Sequence, residues 1–173
     1  MRFSKKQRKL VEELTYLMDI LNVSTDVEDA DPQFLTTRLE LAKRRLVISE
    51  VLIQYLLMDE YLSDVICRQF FPRRTYPLLW RTKRFRDFNF YVLERLFLVQ
   101  KTDYVRARIK MPPAVHKNLL ALNDLRNALA HSFFPENRRV KPNWKGIDIF
   151  SIAGFEQFIH DMSDSSDFFI RRM

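Results

Sequence analysis

Arg126, Asn127 and His131 lie within one short run, Leu122-Asn123-Asp124-Leu125-Arg126-Asn127-Ala128-Leu129-Ala130-His131. Their side chains offer different chemistry. Arg presents a fixed fork of donors that matches phosphate oxygens, and it keeps its charge. His moves protons near neutral pH. Asn orients a neighbour or holds an oxygen. Such a set suits chemistry at a phosphodiester, where an attacking hydroxyl loses its proton, a phosphorane charge is stabilised and a leaving oxygen gains a proton.

The element that must position them is a helix predicted over ~113–133, from Pro112-Pro113 to just before Pro135. At about 100° per residue, Val115, Leu119, Leu122, Leu129 and Ala130 share one apolar face. Arg126 falls near the middle of that face, where an unpaired guanidinium is costly. Glu50, Asp59 and Glu60 are its candidate partners. Asn123, Asn127 and His131 occur at i, i+4 and i+8 as a polar row. Arg126 and His131 point about 140° apart. One helix therefore does not aim both at one atom, whereas two copies crossing at a twofold axis could.

The spacing Arg126-Asn127-x-x-x-His131 resembles the signature of the HEPN superfamily (higher eukaryotes and prokaryotes nucleotide-binding domains). The segment Trp144-Lys145-Gly146-Ile147-Asp148-Ile149-Phe150, with an amphipathic helix after it, also looks like the region downstream of the motif in some members. The resemblance implies a helical bundle and a homodimer with motif helices facing each other. It further implies a metal-independent endoribonuclease needing no cofactor, with RNA as substrate. In that reading His131 is general base or acid, Arg126 stabilises the phosphate, and Asn127 orients His131 or holds phosphate. Toxin or phage-defence roles, and an antitoxin protein as partner, come from the resemblance alone. Toxins of this type paired with a nucleotidyltransferase often carry Tyr two places after the His. Here Phe133 stands there, without a hydroxyl to adenylylate, which puts that regulation in doubt.

Composition points the same way on fold. The chain has 173 residues, 47% hydrophobic with 15 Phe, enough for a real core in one domain spanning 1–173. Two Gly are too few for a sheet protein with many tight turns. The expected fold is all-α, an antiparallel bundle of about five helices around one long central helix. A net charge of +7 makes a polyanion a plausible partner. The single Cys67 allows no internal disulfide, fits a reducing interior and reads as an inert thiol. No secretory segment comes after the basic start, and the apolar run Val51–Met58 is too short to span a bilayer. A cytoplasmic protein without membrane contact is expected.

In chain order, Leu10, Leu14, Leu17 and Leu21 predict a helix over ~4–21, with Ser4 as its cap, and Asn22 to Asp31 a polar loop. Asp31-Pro32 is a helix start, and neither Pro nor Gly occurs again until after Phe71. One long helix results, apolar around much of its circumference between Val47 and Met58. Pro72 to Pro77 breaks it. The basic, aromatic run beyond the break suits RNA, with phosphates on the cations and bases on the rings. Arg81, Lys83 and Arg84 are its candidate RNA-binding residues, joined by Arg138 and Arg139 beyond the motif. Phe85, Phe88, Val92, Leu96 and Val99 also keep helical spacing, which predicts a third helix over ~82–100 and a connection over Lys101–Met111. Near the end, Gly146 marks a turn, and Ile147 and Ile149 suit a short extended piece. Ser151 suits a cap, and Phe155, Phe158, Ile159 and Met162 form a helical face; His160 lies beside it as a surface or packing residue rather than a site residue. Ser163 to Ser166 should weaken that helix.

Other chemistry lacks its residues. There is no Cys pair or His-x-x-x-His spacing for a metal, no Gly-rich phosphate loop, and no recognisable Ser–His or Cys–His pair. Two alternatives to the ribonuclease stay open: a non-catalytic HEPN-like module that binds a protein or nucleic acid, and a DNA-binding repressor. The repressor lacks a short helix pair with a tight turn before a polar recognition helix.

Overall fold

The computed structural model describes residues 32–71, 82–130 and 141–172. The predicted first helix and the loop after it lie outside these residues. Five α-helices and one two-stranded hairpin make up the described fold: α1 Pro32–Phe70, α2 Lys83–Tyr91, α3 Leu98–Arg108, α4 Pro113–Ala130, β1 Asn143–Trp144, β2 Ile147–Asp148 and α5 Ile152–Ile170. The fold is an all-α bundle. Two compact units divide the chain, Met1–Leu46 and Val47–Met173, with the boundary inside α1. The described part of the first unit is helical from Pro32. The second unit holds the rest of α1 and every other described element.

α1 runs 39 residues, one long helix as predicted, with neither Pro nor Gly after its first position. Val47, Val51, Met58, Leu62, Val65, Ile66 and Cys67 are buried on one side. Leu52, Ile53 and Leu56 stay exposed, so the apolar circumference is not covered all round by the described residues. At its end Phe71 packs edge-on against Phe85 and Phe88 of α2, each at 5.3 Å, while Phe70 meets Phe88 at 5.1 Å.

The third predicted helix is in fact two, with a 3-10 turn at Leu93–Arg95 between them. Leu93 and Leu98 are both buried, at 2% and 0% exposure. Five residues apart on one helix they would point about 140° from each other. The break at Leu96 and Phe97, both extended, lets each reach the core. α3 then restarts with the Gln100 side chain accepting from the Phe97 N–H at 2.9 Å. The predicted connection over Lys101–Met111 is thereby corrected: most of it is α3, with Lys101, Thr102 and Val105 buried.

The two glycines have separate structural reasons. Lys145 and Gly146 both have positive φ (50° and 90°), the primed turn that matches the twist of a two-residue hairpin. Gly154 lies in the first turn of α5, where a Cβ would run into the Asp148 carbonyl oxygen. Ser151 caps this helix, its hydroxyl accepting from the Gly154 N–H at 3.0 Å. α5 continues through Ser163–Ser166 without weakening. Ser165 is fully buried, and its hydroxyl donates to the Asp161 carbonyl at 2.8 Å and accepts from Asn118 of α4 at 3.1 Å. Tertiary partners here override a poor local helix propensity.

Among the described residues no helix is long and apolar enough to cross a membrane.

Candidate functional site

α4 starts at Pro113, a residue that suits the first helical position because its missing N–H needs no partner there. Val115, Leu119, Leu122 and Leu129 are buried, as their spacing predicts. Asn118 and Leu125 are buried as well, whereas Ala130 is exposed. The buried stripe is therefore rotated away from Ala130, and Arg126 sits at its border, half-buried, rather than at its centre. This lowers the cost of its charge, because the guanidinium keeps access to water.

The guanidinium carbon of Arg126 lies 5.3 Å from the centre of the Tyr55 ring of α1. Its Nη1 donates to Asn127 Oδ1 at 3.1 Å. Asn127 is thus engaged with Arg126. None of the three candidate carboxylates pairs with Arg126. Glu50 accepts from Gln54 at 2.8 Å, Asp59 takes Lys101 at 2.6 Å, and Glu60 is exposed on α1. The ring of Tyr55 takes the place expected for a carboxylate. A cation over a ring face is attracted to its quadrupole without being neutralised.

His131, Arg81, Arg138 and Arg139 lie outside the described residues. Of the predicted RNA-binding group, Lys83 and Arg84 occupy the exposed first turn of α2. Thr82 caps that helix, accepting from the Phe85 N–H at 3.3 Å. Arg84 reaches over the ring of Phe71, 5.7 Å from its centre. The apolar residues of this run follow their helical spacing only in part: Phe85 is buried and Phe88 half-buried, but Val92 is exposed. Of the two places open to His160, surface or packing, it takes the surface, its Nδ1 3.5 Å from Asp164.

Two features have no counterpart in the sequence reading. Across the α3–α4 connection, Arg106 Nη1 lies 3.3 Å from His116 Nε2, and Asp103 is 4.0 Å from the same nitrogen. Arg can only donate, so the ring nitrogen accepts in this contact. The two residues stand at equal separations on either side of Met111, a signal that helices joined by a short turn would face them. The second is Lys101, buried with 4% of its side chain exposed, donating to Asp59 at 2.6 Å and Ser63 at 2.9 Å. Close by, burial pushes the Cys67 thiol up to about 11, and the carboxylates of Asp64 and Glu60 add to the rise. It is therefore a poor nucleophile near neutral pH.

The hairpin after the motif helix is bound to α5 through one carboxylate. Trp144 is fully buried, edge-on to Phe158 at 5.0 Å, and its indole donates to Asp161 at 2.7 Å. Lys145 reaches the same Oδ2 at 2.7 Å, and Gln157 donates to Oδ1 at 3.2 Å. Burial pushes the Asp161 carboxyl up, but the donors from Lys145, Trp144 and Gln157, with the Lys145 charge, outweigh it and hold it below the usual value. Asn118 ties the motif helix to this corner, donating to the Asp161 carbonyl at 3.1 Å.

Compared with family models, with curated proteins and with solved structures, the chain matches none.

Proposed function

We propose that this chain is a metal-independent endoribonuclease of the HEPN type, with a composite site formed by Arg126, Asn127 and His131 from two copies at a homodimer interface. The observation that supports this reading most is the state of Arg126. It is half-buried on the motif helix, steadied by Tyr55 and Asn127, and among the described residues no carboxylate neutralises it. At the border of the buried stripe the guanidinium keeps its charge without a carboxylate, because water still reaches it. An arginine held by a ring and an amide keeps its charge for a phosphate. Exposed Leu52, Ile53 and Leu56 border Tyr55 along α1 and offer apolar surface to a second copy. Lys83 and Arg84, exposed on α2, are positive groups for the RNA backbone. In this reading His131 moves the proton and Arg126 stabilises the phosphorane. Cleavage of cellular RNA by such an enzyme in the cytoplasm fits a toxin or a phage-defence effector, held in check by an antitoxin protein.

The test is cleavage of structured RNAs and tRNA in EDTA by wild type, Arg126→Ala and His131→Ala. Wild-type cleavage that falls at least a hundredfold in both variants, with unchanged melting, supports the reading. Cleavage that survives His131→Ala overturns it. An absence of cleavage together with RNA or protein binding favours the non-catalytic module.

A further inference from the structure

A cavity of about 550 Å³ opens between α1 and the segment from α2 to the start of α3. That volume lies within the range of small-ligand sites. Its character runs against the rest of the chain. The protein carries a net +7, yet Asp59, Glu60, Asp64 and Glu94 all line this cavity. Two of these carboxylates are compensated: Lys101 pairs with Asp59 at 2.6 Å and Arg68 with Asp64 at 2.7 Å. Glu60 and Glu94 have no cationic partner among the described residues, Glu94 accepting only from the neutral Asn89 at 2.7 Å. The cavity thus presents two free negative charges.

The remaining walls are mixed: Ser63, Asn89 and the paired Lys101 are polar, Tyr55 and Phe97 offer ring surface, with Phe97 exposed at 72%, and the buried Phe85 and Leu93 back the cavity. A cation on an apolar stem fits such a lining, because the carboxylates meet its charge while the rings take its stem and attract its positive end. A bare metal ion fits less well. Among the described residues no three His, Cys, Asp or Glu side chains converge closely enough to hold one.

We propose that this cavity is a binding site for an aliphatic amine cation of the polyamine class, its ammonium groups on Glu60 and Glu94 and its methylene stem against Tyr55 and Phe97. This site is independent of the ribonuclease reading and goes beyond it. The overall charge of the protein would repel a polycation, so binding must come from a local site.

The test is calorimetric titration of spermidine into the full, RNA-free chain at low salt. A Glu60→Gln/Glu94→Gln double variant and Phe97→Ala are run beside it, with MgCl2 at matched ionic strength as control. All three substituted side chains are exposed, so melting without ligand should be unchanged. The expected result is saturable binding at one site, at least tenfold weaker in the double variant and several-fold weaker in Phe97→Ala. No binding of spermidine, equal affinity in the double variant, or an equal response to MgCl2 each overturns the proposal.

Discussion

Two corners of the molecule use the same ion pair in opposite ways. At the hairpin, Asp161 is the buried partner, 11% exposed, and Lys145 is the open one at 42%. At the cavity, Lys101 is buried at 4% and Asp59 is the more open at 28%. The pairs have nearly the same length, 2.7 and 2.6 Å. Their support differs. Asp161 also receives Trp144 and Gln157, so its charge is shared among three donors. Lys101 has Asp59 and one hydroxyl, Ser63. The comparison teaches that the energetics of such a pair depend on which member water can reach. Removing the open member strands a buried charge where little else supports it, as at Lys101, but not where other donors remain, as at Asp161; removing the buried member costs little only where it leaves no buried donor without an acceptor.

The largest expected effect is on the less supported pair. Asp59→Ala strands the Lys101 ammonium and should cost about 3 kcal/mol in urea denaturation, while Lys101→Met should cost under about 1 kcal/mol. Equal costs would break the asymmetry. Next, Gly154→Ala drives a methyl into the Asp148 carbonyl and should lose about 2–3 kcal/mol of stability, read the same way. A neutral result would mean that the hairpin and α5 are not held as closely as the structure has them.

Asp161→Asn should cost about 2 kcal/mol at pH 7, since three donors lose a charged acceptor. Its pH dependence has a definite sign. The folded carboxyl holds its proton less tightly than the unfolded one, so its contribution is complete above the unfolded value of about 4 and is lost as pH falls through the lower folded value. The difference between wild type and Asp161→Asn should therefore shrink in acid; a difference that grows there would contradict the lowered carboxyl. The smallest effect belongs to Lys145→Ala. Its ammonium is largely in water, and Trp144 and Gln157 still serve Asp161, so the loss should stay below about 1 kcal/mol. A loss larger than that of Asp161→Asn would reverse the hierarchy at this corner.

The misreadings have a common origin. The predicted helix over ~82–100 rested on a real period in Phe85 and Phe88, but the need to bury both Leu93 and Leu98 broke it. Ser163–Ser166 should weaken its helix because serine competes for backbone bonds locally, yet Ser165 finds its partner in Asn118, 47 residues away. For Arg126, helical geometry placed the side chain near an apolar face and suggested a carboxylate. It could not show that Tyr55 lies across from it.

What the sequence alone determined is local. The absence of Pro and Gly after Pro32 made α1 long, Pro113 started α4, Ser151 capped α5, and Gly146 made the hairpin turn. These signals act within a few residues, through steric limits on φ and ψ and hydrogen bonds inside a single turn. The tertiary structure decided the rest: the burial of Lys101 against Asp59, 42 residues away, the four carboxylates around one cavity, and the seat of Arg126 on Tyr55. Helical periodicity says which face a residue occupies. The group opposite that face depends on how the helices cross, and packing of the whole core sets those crossings.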